Sequence, residues 1–195
     1  MELKVNRKII LASGSPRRRE LLEKLGLQFE VVKSEFDEST IENKNPKKLV
    51  MKLAESKADE VSRRDDITSD SLIISADTIV VFKNEILGKP KDDLDAMRML
   101  KLLNNQKHQV YTAMCIIDMK KMNKKVVLSK SDVFFDKVSD EKIMEYVKSG
   151  EPSDKAGAYA IQGDGSVFIK KINGDYFSIM GLSINQLYKE LSKIK

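Results

Sequence analysis

One cysteine and one histidine are all that the 195-residue sequence offers in thiol and imidazole chemistry. That scarcity excludes a Cys/His zinc site, and a lone Cys115 excludes the intrachain disulfide framework of a secreted scaffold. A Ser-His-Asp triad survives only if His108 is its base. Long apolar runs are missing too. No stretch approaches the roughly 20 apolar residues of a membrane helix, and Ile9 to Ala12 is too short for the core of a secretory signal. The cytoplasm is therefore the expected compartment, with no membrane partner. Repeats, low-complexity segments and Pro/Gly-rich linkers are absent, so residues 1–195 read as one domain. Charge of one sign is not massed either. The 35 basic and 30 acidic residues give a net +5, and they interleave, so no nucleic-acid partner is expected.

What is present suits a globular α/β chain. Hydrophobic residues make up 41% and charged residues 33%, enough to bury a core without disulfides or structural metal. Ile9 to Ala12 reads as a buried strand. Ser13-Gly14-Ser15-Pro16 ends it and starts a helix, with Pro16 at its first position and Gly26 as its stop. Phe29 to Val32 reads as a second strand, followed by the acidic loop Glu35 to Glu38. Pro46 opens an amphipathic helix through Val61. Leu72 to Ala76 reads as a buried strand ended by Asp77-Thr78. Ile79 to Phe82 then turns near Asn84 into a hairpin with Ile86-Leu87. Asp92 or Asp93 caps the next helix, and Ser139 and Ser183 cap two more. Val110 to Asp118 and Val126 to Asp136 read as an antiparallel pair with a basic tip. Phe177 to Ile179 reads as a last strand after an Asn173-Gly174 turn. The sum is an α/β fold with a mixed sheet.

Several segments carry candidate chemistry. The turn Ser13-Gly14-Ser15-Pro16 between a strand and a helix exposes backbone N–H groups to an anion. Arg17, Arg18 and Arg19 crowd the first helical turn, where each cation opposes the helix dipole by about 0.3–1 kcal/mol. A bound phosphate offsets that repulsion and uses the planar fork of arginine, although solvated surface arginines give the same pattern. Asp77-Thr78 lies where ligand sites of α/β proteins form, and its carboxylate suits a metal or an attacking water, or merely a turn. Glu35, Asp37 and Glu38 suit a hard divalent cation if they converge, and a solvated loop if they do not. Lys89 is framed by Gly88 and Pro90. Gln162, among the small residues of Ala156 to Gly165, carries the donor and acceptor needed to read a base edge, or to close a tight turn. His108 starts a strand with no obvious partner and reads as structural. Together these are the parts that hold a nucleoside triphosphate with a metal.

Taken in order, the segments resemble the Maf nucleotide pyrophosphatase family over Ile9 to about Leu191. The matching segments are Leu11-Ala12-Ser13-Gly14-Ser15-Pro16-Arg17-Arg18 with Glu20-Leu21-Leu22, then Glu38, Ala76-Asp77-Thr78-Ile79-Val80 and Gly88-Lys89-Pro90. His108-Gln109-Val110-Tyr111-Thr112 and Asp154-Lys155-Ala156-Gly157-Ala158-Tyr159 through Ile161-Gln162-Gly163 complete the set. The resemblance implies a strongly twisted mixed sheet flanked by helices, with two lobes around a cleft, as in inosine triphosphatases. It implies hydrolysis of a nucleoside triphosphate to monophosphate and pyrophosphate with Mg²⁺ or Mn²⁺, in a cytoplasmic and often dimeric protein. Ala-Asp-Thr with Ile-Gln-Gly resembles the dTTP/UTP branch, whereas the 7-methyl-GTP branch typically carries Ser-Asp-Gln. By that correspondence Asp77 accepts the proton, and Arg17, Thr78 and Gln162 set specificity. Ser13, Arg17, Arg18 and Lys89 would hold the phosphates, and Glu38 and Asp77 the metal. The alternatives are a pyrophosphatase for 7-methyl-GTP or another non-standard nucleotide, and a nucleic-acid or regulatory binding protein.

Overall fold

The computed structural model of the chain describes residue 3 and residues 5–194. Among the described residues seven strands, β1 (Ile9–Leu11), β2 (Glu30–Val31), β3 (Leu72–Phe82), β4 (Glu85–Leu87), β5 (Lys107–Asp118), β6 (Asn123–Phe135) and β7 (Ile169–Asn173), form one mixed sheet in the order β2-β1-β3-β5-β6-β7, with β4 paired to β3. The α/β class expected from the sequence is the class observed. By density of internal contact the chain divides into two units, and β3, β5 and β6 each contribute residues to both.

The first unit comprises the described part of Met1–Asp77, with Thr112–Ser129 and Gly181–Lys195. Its centre is β1 (Ile9–Leu11), buried throughout and paired in parallel with β2 (Glu30–Val31) and with the start of β3 (Leu72–Phe82). A strand hydrogen-bonded on both sides and covered on both faces must be apolar at every position, which is why Ile9-Ile10-Leu11 shows no alternation. Helix α1 (Pro16–Lys24) has proline at its start and buries Leu21 and Leu22, and Gly26 leaves it at φ +70°. Helix α2 (Pro46–Ser62) is capped by the Asn45 side chain and buries Val50, Leu53, Ala54, Ala58 and Val61. The sequence expectation of a second strand over Phe29 to Val32 shrinks to two exposed residues.

The second unit comprises Thr78–Tyr111 and Lys130–Met180. The later half of β3 pairs antiparallel with β4 (Glu85–Leu87). The turn between them is Lys83-Asn84, at φ 47° and 69°, the double left-handed geometry of a tight hairpin. Helix α3 (Asp93–Leu103) is capped by Asp92. Strands β5 (Lys107–Asp118) and β6 (Asn123–Phe135) follow, then α4 (Asp140–Lys148), capped by Ser139. Strand β7 (Ile169–Asn173) runs antiparallel to β6. The core of this unit gathers Phe82, Leu100, Leu103, Val133, Phe135, Ile143 and Phe168, all under 6% exposed. No helix among the described residues is long and apolar enough to cross a membrane.

Two sequence expectations need correction here. Phe177 to Ile179 is not a strand but lies in a short helix, α5 (Tyr176–Met180). Asp175 starts it, accepting from the Phe177 N–H at 2.9 Å through its side chain and from the Ser178 hydroxyl at 2.7 Å through its carbonyl. Local capping by an aspartate thus overrides the β propensity of three residues. The final helix, α6 (Ile184–Leu191), is capped by Ser183 as expected.

His108 also has a partner. Its Nε2 lies 2.7 Å from the Tyr159 hydroxyl, and its ring stands edge-on to Phe135 and Tyr159 at 5.0 and 5.3 Å. At 1% exposure, desolvation pushes the imidazole down to about 3. The folded state therefore keeps His108 neutral where the unfolded chain protonates it. Stability is full above the unfolded value of about 6.5 and falls as pH drops toward 3. Urea unfolding at pH 5 should show a loss of roughly 2 kcal/mol relative to pH 7 from this residue, by 2.303RT per unit below 6.5. His108→Gln should reduce that slope, and an unchanged slope would show that the imidazole is not held neutral.

Candidate active site

The site in the first unit follows from two periodicities. Residues two apart on a strand share a face, and residues three apart on a helix share a face. The Ser75 hydroxyl, on β3, donates to the Ala54 carbonyl of α2 at 2.5 Å. Ala54 and Ala58 are fully buried, and their small side chains leave room for the helix backbone to come close. Stepping two residues along the strand and three along the helix brings Asp77 to Lys57. The Lys57 ammonium sits 2.5 Å from Asp77 Oδ1 and 2.8 Å from Glu38 Oε1.

Asp77 does not end its strand, as the sequence suggested. Strand β3 runs unbroken through it to Phe82. A carboxylate can stand in the middle of a buried strand because it is paired. Its side chain is 10% exposed and that of Lys57 13%, against 57% for Glu38. Burial raises the Asp77 carboxyl above the ordinary aspartate range. Lys57 and Arg18 pull it back by charge, Lys57 also by its hydrogen bond, and Glu38 adds to the rise. The net direction is upward, which makes this carboxylate a better proton acceptor than a solvated one at about 3.9.

The three arginines of α1 have separate fates. Arg18 turns inward. Its Nη1 donates to Ser13 Oγ at 3.0 Å and its Nε to the Gly181 carbonyl at 3.0 Å. The same Ser13 hydroxyl accepts from the Ser15 N–H at 3.3 Å, closing the turn before the helix. Burial lowers the Arg18 guanidinium from its usual value, Asp77 opposes that fall, Arg17 adds to it and Glu38 opposes it. Arg19 instead pairs with Glu23 at 2.9 Å in solvent. Arg17 stays half-buried beside them. The helix-dipole conflict is thus partly relieved within the chain, by a hydroxyl and a carbonyl on Arg18 and a carboxylate on Arg19.

The acidic loop does not converge as a cluster. Glu35 offers its backbone N–H to Glu60 at 3.0 Å. Asp37 caps the turn Glu38–Thr40, accepting from the N–H and hydroxyl of Ser39. Only Glu38 reaches the Asp77 site. Among the described residues no group of three or more His, Cys, Asp and Glu side chains gathers for a metal. Two carboxylate oxygens nonetheless converge on one cation position, now taken by the Lys57 ammonium. Mg²⁺ is commonly held by one or two carboxylates with the rest of its shell from substrate phosphates and water. Asp77 and Glu38 fit that pattern, with phosphate oxygens needed to complete it. Lys57, within the amphipathic helix that Pro46 opens, is a site residue that sequence reasoning did not single out. Its signal was a cation three residues beyond a buried small residue on the apolar face.

Thr78, Lys89 and Gln162 belong to the second unit. Thr78 follows Asp77 on β3 and is half-buried. The loop of Lys89 is tied down at its neighbour, whose Gly88 carbonyl accepts from the Gly157 N–H at 2.9 Å. Gly157 has φ +71°, and a Cβ there would stand 2.9 Å from Val80 Cγ1, so only glycine suits this approach to β3. Lys89 and Gln162 are both exposed.

Comparisons with known proteins place the chain in a family and a fold. The sequence profile of the Maf-like protein family matches residues 8–194. A protein of Caldicellulosiruptor saccharolyticus named dTTP/UTP pyrophosphatase is 46% identical over 189 residues, covering 96% of this chain and 95% of its own. One of Clostridium novyi with the same name is 45% identical over 183 residues, covering 93% and 95%. Among solved structures, a HAM1 protein from Coxiella burnetii shares the fold at a TM-score of 0.51 and 13% identity, covering 96% of this chain and 99% of its own.

The Lys57–Asp77 pair is open to a double-mutant cycle. Lys57→Gln, Asp77→Asn and the double variant should show a coupling of about 0.5–3 kcal/mol in urea unfolding at pH 7, the range for residues in one charged network. Coupling within error of zero would mean that the ammonium does not hold the carboxylate.

Proposed function

The chain belongs to the Maf-like protein family, and we propose that it is a nucleoside triphosphate pyrophosphatase that hydrolyses dTTP and UTP. The products are the nucleoside monophosphate and pyrophosphate, a reaction that clears nucleotides from the cellular pool. The observation that carries the reading is a buried carboxylate, Asp77, paired with the Lys57 ammonium at 2.5 Å and within the field of the Arg18 guanidinium.

Each residue has a task that its surroundings support. Arg17, Arg18, Lys89 and the Ser13 turn receive the triphosphate. Arg18 is already fixed by Ser13 and Gly181, so little side-chain freedom is lost on binding. Asp77 orients a water for in-line attack on the α-phosphorus and takes its proton on a carboxylate oxygen. Before the cation binds, Lys57 holds that carboxylate in place by charge and hydrogen bond. Asp77 and Glu38 would hold a divalent cation with the phosphate oxygens, and the cation would supply charge stabilisation for the leaving pyrophosphate. Cationic side chains act on the same developing charge.

Gln162, with Thr78 and Arg17, sets the base preference. Thymine and uracil present two carbonyl acceptors and one ring N–H, and a fixed amide donates to one and accepts from the other. Cytosine replaces an acceptor with an amino donor, so one contact pairs like with like. Each buried group left unpaired costs about 1–3 kcal/mol.

Pyrophosphate release from dTTP, UTP, CTP and 7-methyl-GTP, with Mg²⁺ or Mn²⁺, tests the assignment. Turnover should be highest on dTTP and UTP, and Asp77→Asn should lower kcat on both by about 10²-fold or more while remaining folded. Near-native turnover by that variant removes Asp77 from the mechanism, and a preference for 7-methyl-GTP overturns the substrate class.

A further inference from the structure

One carboxylate gathers hydrogen bonds from the end of the segment that carries Gln162. Glu151 opens the short turn Glu151–Asp154, directly after Gly150 at φ +77°. Its Oε1 accepts from the Tyr146 hydroxyl at 2.9 Å and from the Gly165 N–H at 3.1 Å. Its Oε2 accepts from the Asp164 N–H at 3.0 Å. The Tyr146 hydroxyl in turn accepts from the Ala160 N–H at 3.2 Å. Backbone donors on both sides of Gln162 therefore end on one carboxylate–phenol pair.

The loop is built to close on that pair. Gly163 adopts φ +80° and ψ −154°, a region that belongs essentially to glycine. A Cβ there would stand 2.5 Å from Glu151 Oε2, and a Cβ on Gly165 would stand 2.6 Å from the Tyr146 oxygen. Tyr146 is 5% exposed and packs edge-on to Phe168 at 5.0 Å, so the core fixes its hydroxyl. Burial, with Glu151 as acceptor, pushes the phenol up from its ordinary value, and it remains a donor throughout the working range.

We propose that Glu151, acting with Tyr146, is a positioning residue for Gln162 and so a determinant of pyrimidine preference, without touching the nucleotide itself. The inference rests on Gln162 as the group that reads the base edge. An exposed amide discriminates only if its backbone is fixed. On a loose loop it rotates or withdraws, and the mismatched contact with cytosine costs nothing. The three hydrogen bonds on the Glu151 carboxylate have a charged acceptor and are of the stronger kind, and two of their donors are main-chain N–H groups. Glu151→Gln keeps the shape but replaces one acceptor oxygen with a donor that faces another donor.

The test uses the full chain and compares kcat and KM for UTP and CTP in wild type, Glu151→Gln, Glu151→Asp, Tyr146→Phe and Gln162→Ala. Glu151→Gln should lower the UTP-to-CTP ratio of kcat/KM about tenfold, the scale of one lost polar discrimination. Its kcat on UTP should stay within about threefold of wild type. Tyr146→Phe should move the ratio the same way by less, and Glu151→Asp should restore part of it. A purely structural role predicts instead that both nucleotides lose activity in proportion to the folded fraction, measured by circular dichroism, with the ratio kept. If Glu151→Gln does not fold, the ratio in Tyr146→Phe decides. A ratio lost in Gln162→Ala but kept in the Glu151 and Tyr146 variants overturns the positioning role alone. A ratio unchanged in Gln162→Ala overturns the base-edge reading and this inference with it.

Discussion

Burial of Asp77 sets the terms for the site around it. A carboxylate inside the largely buried strand from Leu72 to Phe82 is pushed toward its neutral form, and a neutral acid there would neither hold a cation nor take a proton. The Lys57 ammonium at 2.5 Å opposes that push by its charge and its hydrogen bond. The ammonium can reach it because α2 lies close to β3, with the Ser75 hydroxyl on the Ala54 carbonyl. Pairing also ties Glu38, from an otherwise exposed turn, to the same point. Breaking one partner of such a pair is costly, because the other is left charged and desolvated.

The second unit uses backbone where the first uses charge. Gly157 approaches Val80 so closely that no side chain could intervene, and its N–H fixes the loop that leads to Lys89. Gly163 and Gly165 let the next segment close over Glu151 and Tyr146. Sites of recognition are commonly built on loops whose geometry a rigid scaffold dictates, and here the scaffold is the aromatic core of Phe135, Tyr146, Tyr159 and Phe168.

Local signals were legible in the sequence wherever one residue decides the outcome. Pro16, Gly26, Asn84, Asp92, Ser139 and Ser183 each mark a helix end or a turn, and each does so in the structure. Asp77, Glu38 and Arg18 were legible as polar residues beside strands and helix starts. What the sequence hid depends on pairing across long separations. Asp77 read as a strand end because an unpaired carboxylate would be one, and its partner lies twenty residues away on α2. Lys57 was invisible as a site residue for the same reason. His108 seemed partnerless because Tyr159 is fifty-one residues distant. The run Phe177 to Ile179 has strand-like composition, and only Asp175 at its start tips it into a helix. Glu35, Asp37 and Glu38 look alike in one dimension, whereas their hydrogen bonds send them to three different tasks.

The account turns on Asp77 being the proton acceptor and on Lys57 holding its charge. The pH dependence of kcat/KM for dTTP addresses both at once, because its acid limb reports the free enzyme's essential base. Removing an adjacent cation raises a carboxylate by about 1–3 units. The limb in Lys57→Gln should therefore lie at least about one unit above that of the wild type, with activity recovering as pH rises. A limb that stays where it is in a folded Lys57→Gln enzyme would contradict the account.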